Sequence, residues 1–189
     1  MTTMPTAEPM TAQEFLALPE AQHGRPWNLV AGELVVNEPT LEHQAVAQRL
    51  SFALARWIEA GAGRGLAIRP LDVLIDDRNV YAPDVLWYSE PRRPDRRAEP
   101  PYPIPDLAVE VRSPSTWRHD IGVKKDGYER GGLPELWLVD TPAAEVLVFR
   151  RSRPGAPTFD VSLQLARGDV LQSPFLEGFA LPVGRLFAD

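Results

Sequence analysis

Pro105-Asp106-Leu107-Ala108-Val109-Glu110-Val111-Arg112-Ser113-Pro114-Ser115-Thr116 is the stretch that decides how this chain folds. A short apolar run carries one acid, Glu110, in its middle. A Ser-Pro-Ser-Thr turn ends the run before a mixed-charge segment with helical spacing. Such a run reads as a buried strand. A carboxylate inside it loses its hydration, which is costly unless a positive group pairs with it. A second strand-like run, Val80 to Tyr88, brings its own isolated acid, Asp84, directly after Pro83. Either acid alone fits an edge position facing water equally well. Two of them, each on an apolar strand, point to a cation between them, and a divalent metal ion is the simplest.

Composition narrows the setting. The 189 residues, 44% hydrophobic and 24% charged, are ordinary for a soluble globular chain. They are expected to form a single domain over residues 11–189 behind a flexible tail at residues 1–10. There is no cysteine, which excludes disulfide scaffolds, thiolate zinc sites and cysteine nucleophiles. The three histidines, His23, His43 and His119, share no metal-ligand spacing. With neither a spanning apolar run nor a signal peptide, a cytoplasmic protein without membrane contact is expected. The net charge of −6 argues against a broadly basic nucleic-acid surface but not against a local one. Arginines gather at Arg92, Arg93, Arg96 and Arg97, and a second basic group at Arg112, Arg118, Lys124 and Lys125. A solvated loop or helix face is the plainer reading of either cluster.

Periodicity supplies the frame. Thr11 and Glu14 form a capping box for a short helix to about Leu18. Trp27 to Val36 alternates around Ala31-Gly32 as a hairpin. Thr40 starts a helix whose apolar stripe runs through Val46, Leu50, Leu54 and Trp57 and which ends at Gly61, Gly63 and Gly65. Leu66–Ile75 and Val80–Tyr88 flank a turn-rich tetrapeptide and read as an antiparallel pair. Residues 89–104, rich in proline and arginine, read as an exposed loop. Leu107–Val111 is a central strand, Thr116–Arg130 a helix capped by Ser115 or Thr116, and Leu136–Val139 a strand buried on both faces. Further strands are expected at Val146–Arg150 and Phe159–Leu163. The fold class is α+β, with a mixed sheet, one helix before it and one inserted late.

Carboxylates, waters and a substrate phosphate form the ligand set that suits magnesium, which polarises a phosphate and activates water. Positive charge for the transition state would come from Arg112, two residues past Glu110 on the same strand face, and from Lys124. Asp120, Lys124 and Tyr128 fall on one helical stripe; an exposed ion pair beside an aromatic ring is the plainer alternative. Thr116 to Arg118 offers first-turn N–H groups to an anion, and Ser113 and Ser115 either form the turn or touch phosphate. His43 by default is a surface residue near a helix cap, and Glu33 an exposed turn acid. No nucleophile elbow, phosphate loop or dinucleotide fingerprint is present.

Taken in order, these residues resemble the Uma-type restriction endonuclease family, a branch of the PD-(D/E)XK nuclease superfamily. The markers are Gly32-Glu33-Leu34, His43, Pro83-Asp84-Val85, Pro105 to Val111, Ser113 to Thr116, Asp120, Lys124, Tyr128, Glu135 to Asp140 and Gly178-Phe179. The match runs from about Thr11 to Phe187. It implies a restriction-endonuclease-like core, a central mixed β-sheet flanked by α-helices. It implies Asp84 and Glu110 as metal carboxylates, with the Val111 carbonyl and Glu33 as further ligands of Mg2+ or Mn2+. It casts Lys124 as the catalytic ammonium and Arg112 as a phosphate contact, with Ser113, Ser115, Arg118, Tyr128 and His43 on the substrate. The implied activity is hydrolysis of DNA by a homodimer; the alternative is a catalytically weak or inactive nuclease-fold module that binds nucleic acid or a protein partner. Two departures stand out. Asn28 and Ala31 occupy positions where acids are expected, and Arg112 replaces the superfamily lysine.

Overall fold

A computed structural model describes residues 8–19, 27–113 and 117–188. Helix α1 (Ala12–Leu16) opens on the expected Thr11–Glu14 capping box. Strands β1 (Trp27–Val30) and β2 (Glu33–Val36) form the hairpin. Its turn places Ala31 at φ 52° and Gly32 at φ 80°, the mirror-image geometry that a two-residue hairpin requires. Helix α2 (Leu41–Glu59) is capped by the Thr40 side chain and buries Val46, Leu50, Leu54 and Trp57.

The two long runs read as single strands are each broken. Leu66–Ile75 divides into β3 (Leu66–Ile68) and β4 (Val73–Asp76), and Val80–Tyr88 into β5 (Asn79–Tyr81) and β6 (Val85–Tyr88). Each break holds a proline, Pro70 or Pro83, which cannot donate to a ladder. At both breaks the chain changes sheet: β4 and β5 pair in a four-stranded sheet of order β2-β1-β5-β4, while β3 and β6 lie in the central six-stranded sheet. That sheet has the order β10-β9-β8-β7-β6-β3. It contains β7 (Leu107–Val111), β8 (Glu135–Asp140), β9 (Glu145–Arg150) and β10 (Val161–Leu165). It is mixed, with β7 and β8 parallel and the remaining pairs antiparallel. The short pair β11 (Val170–Leu171) and β12 (Leu181–Pro182) completes the strands.

Strand alternation divides the core between two faces. Val109 and Val111 of β7 face α2, with Val85, Trp87, Trp137 and Val139 beside them. Ala108 joins Leu136, Leu138, Tyr81 and Tyr128 on the opposite face. By that parity Glu110 belongs to the Tyr128 face. The helix expected over Thr116–Arg130 is interrupted. Helix α3 (Trp117–His119) passes into a π-helical turn at Asp120–Lys124, and α4 (Lys125–Gly131) follows. Gly122, at φ −116° and ψ −106°, carries the irregularity. The expected caps Ser115 and Thr116 lie outside the described residues.

Candidate active site

The register of β6 on β7 brings the two acids together. Val85 lies opposite Val109 and Leu86 opposite Ala108, so one further step places Asp84 opposite Glu110. Asp84 sits at the corner where the chain leaves the smaller sheet for the central one. Its Oδ2 accepts from the Val111 N–H at 2.7 Å, and its Oδ1 lies 3.0 Å from His43 Nε2. His43 is buried, not a surface residue. Its position at the start of α2, with the Thr40 side chain accepting from its N–H, turns the ring onto the end of the sheet.

Lys124 arrives from the other side. The π-helical turn directs both its first and last residues inward, so that Asp120 and Lys124 are each 2% exposed. The Lys124 ammonium lies 2.7 Å from Glu110 Oε1 and 3.1 Å from Asp120 Oδ1. Tyr128, one turn on, donates its hydroxyl to the same Glu110 oxygen at 2.7 Å. Oε1 thus meets both the Lys124 ammonium and the Tyr128 hydroxyl. The Lys124 Nζ is also 5.5 Å from the centre of the Tyr81 ring, which packs edge-on against Tyr128.

Glu110 lies within reach of the Asp120 and Asp84 charges. Burial pushes the Glu110 carboxyl up to about 8, against the pull of Lys124 and with the help of the Asp120 and Asp84 charges. Burial also disfavours charge on Lys124, but Asp120 and Glu110 outweigh it and raise its pKa. His43 behaves alike: burial opposes protonation, and the hydrogen bond and charge of Asp84 overcome it. Burial raises the Tyr128 hydroxyl well above its usual range, which keeps it a donor.

Other candidate residues lie elsewhere. The Arg112 guanidinium pairs with Asp140, at 2.9 and 3.0 Å, and lies over the Trp117 ring. Ser113 is fully buried, and Ser115 lies outside the described residues. Arg118 is exposed at the start of α3, and Glu33 is exposed at the first residue of β2. Tyr128, expected on the substrate, is fully buried with its hydroxyl on Glu110. That location suits fixing the carboxylate rather than meeting a ligand.

Several supporting residues carried little signal in the sequence. Asn28, standing where an acid is expected, accepts the Ala82 N–H at 2.8 Å and anchors the chain just before Asp84. Asn79 accepts from the Ala31 N–H and the Tyr81 hydroxyl, at 2.8 and 2.9 Å, and so ties the hairpin turn to the ring beside Lys124. At Gly127 a Cβ would stand 2.3 Å from the Tyr81 hydroxyl. The one available hint was a glycine placed within an otherwise helical segment.

The central mixed sheet is that of a nuclease-fold structure, and it brings an Asp–Glu pair on neighbouring strands together with a lysine. The chain belongs to the Uma2 family, described as "Putative restriction endonuclease", whose profile matches residues 12–184. Among solved structures it is similar to a putative nuclease belonging to DUF820 from Anabaena variabilis ATCC 29413. Identity is 20% and the TM-score 0.77, over 95% of this chain and 98% of that one. No curated protein matches. The family supports a nuclease-like function, and among the described residues no helix is long and apolar enough to cross a membrane.

Proposed function

We propose that the chain is a magnesium-dependent DNA endonuclease, with manganese able to substitute, centred on Asp84, Glu110 and Lys124. The observation that carries this reading is the register match of Asp84 with Glu110, joined to a buried ammonium 2.7 Å from the latter. The donor set fits a hard cation: Glu110 and Asp84 supply carboxylate oxygens, and the Val111 carbonyl is a third oxygen donor. Among the described residues no three His, Cys, Asp or Glu side chains form a ready-made cluster. Magnesium takes one or two carboxylates, several waters and a substrate phosphate.

When bound, the ion would polarise the scissile phosphate and lower the pKa of a water. The protein's own residues do the rest. Tyr128 fixes the rotamer of Glu110, and Asp120 holds Lys124 against it. His43 and the Val111 N–H orient Asp84. The Lys124 ammonium, kept protonated by its acids, is a fixed positive charge for the crowded phosphorane-like transition state. Arg112, anchored by Asp140, would contact the flanking phosphate. A cytoplasmic homodimer that offers two centres to one duplex completes the reading, and sedimentation velocity tests the dimer.

A module that binds nucleic acid or a protein partner without cutting has one observation in its favour: His43 and Lys124 already neutralise the two carboxylates. Cleavage of supercoiled plasmid with Mg2+ or Mn2+ decides between the readings. Metal-dependent nicking that falls at least ~100-fold in Asp84→Asn and Glu110→Gln supports the nuclease; cleavage unchanged by both refutes it.

A further inference from the structure

The arginine cluster in the loop after β6 is not used by the centre described above. Asp84 stands at the start of β6 and Ser89 just past its end, so the loop lies roughly 15 Å away along a strand that rises ~3.3 Å per residue. Beside it is a chamber of 440 Å3, lined by Leu66, Ile68, Leu71 and Tyr102 and by Arg93, Asp95 and Arg96 of the loop. A second, more polar hollow lined by Glu90, Asp95, Arg93, Arg96 and Arg97 adjoins it and shares Arg93, Asp95 and Arg96.

The guanidinium groups there are under-used. Arg92 is held by Asp106 and the Ile104 carbonyl, and Arg93 meets Glu90 only at 3.5 Å. The Arg96 and Arg97 side chains have no ion pair or hydrogen bond among the described residues. Asp95 accepts from the Arg97 main-chain N–H at 2.7 Å, which draws that acid onto the backbone. A chamber walled by Leu66, Ile68, Leu71 and the half-buried Tyr102, continuous with a hollow that carries three guanidinium groups, matches a ligand that is flat and apolar at one end and multiply anionic at the other.

We propose that this end of the molecule is a nucleotide-binding site, with the base in the chamber beside Tyr102 and the phosphates on Arg93, Arg96 and Arg97. Nothing in it depends on the nuclease reading, because the two sites share no residue.

Calorimetric titration of the full chain with ATP and with GTP, in EDTA, tests the site. The expected result is saturable binding of at least one nucleotide, with adenosine, guanosine and tripolyphosphate each at least ~10-fold weaker, about 1.4 kcal/mol. Arg96→Gln with Arg97→Gln should weaken the nucleotide by a similar factor, and so should Leu66→Trp, which fills the chamber. Asp84→Asn should leave binding unchanged. The proposal is overturned if neither nucleotide binds at millimolar concentration, or if tripolyphosphate binds as well as the nucleotide. It is equally overturned if the arginine pair is without effect, or if Asp84→Asn abolishes uptake.

Discussion

Lys124 and Glu110 form a buried ion pair, 2.7 Å apart and almost closed to water, and the rest of the centre is arranged around it. Its environment makes it asymmetric. Glu110 also accepts from Tyr128, and the lysine pairs with both Glu110 and Asp120. Removing the cation therefore leaves two desolvated carboxylates facing each other. Lys124→Met is expected to cost about 3–5 kcal/mol in urea unfolding of the metal-free protein, the range for a broken buried pair. Adding Glu110→Gln should recover part of that loss. Arg112→Ala, which opens a half-exposed pair with Asp140, should cost below about 1 kcal/mol and reduce cleavage far less than Lys124→Met.

Tyr128→Phe removes only a hydroxyl. The contact is a hydrogen bond to an acid inside the core, so a loss of about 1.5–3 kcal/mol is expected. Glu110 would then be held by Lys124 alone. Cleavage at saturating metal should fall, and the metal concentration for half-maximal activity should rise. A variant with unaltered stability and metal response would show that the hydroxyl does not position Glu110.

The acid–base balance predicts a direction for stability against pH. Glu110, raised to about 8 by burial, gives up its proton at a higher pH in the folded protein than in the unfolded chain, where a glutamate does so near 4.5. Its contribution is full below that lower value and is lost as pH rises toward 8. His43, raised in the fold, also loses its contribution as pH rises through its folded pKa. The metal-free protein should therefore be more stable at pH 5 than at pH 8.5. Glu110→Gln should flatten the slope between them, as read by chemical denaturation across that window.

Gly127 is expected to be intolerant of even one methyl. A Cβ there would meet the Tyr81 hydroxyl at 2.3 Å and its ring carbons at 3.0 Å, displacing the ring that borders Lys124. Despite the better helix propensity of alanine, Gly127→Ala should lower stability by about 1–3 kcal/mol, as overpacking does. Thermal unfolding with a parallel activity assay checks it.

Much of this centre is legible in the sequence because its acids break an otherwise apolar pattern. Glu110 within Leu107–Val111 and Asp84 after Pro83 are conspicuous for that reason, and the spacing of Asp120, Lys124 and Tyr128 survives the π-helical turn because all three still face the sheet. The division of Val80–Tyr88 between two sheets was hidden. Val80 and Tyr81 are as apolar as the residues of β6, and only Pro83 marks the corner. His43 gave a misleading signal, since a polar residue in a helix's first turn is usually solvated; its burial depends on a partner 41 residues away. The roles of Asn28 and Asn79 were equally silent. Each bonds a main-chain N–H brought close only by the pairing of β1 and β5, a long-range event without a local pattern.

The most direct test of the account is the anomalous scattering of manganese in a crystal soaked at saturating Mn2+. The account predicts a peak in contact with both the Asp84 and Glu110 carboxylates, with the Lys124 ammonium beside it. Absence of a peak there, or a peak touching neither acid, would contradict it.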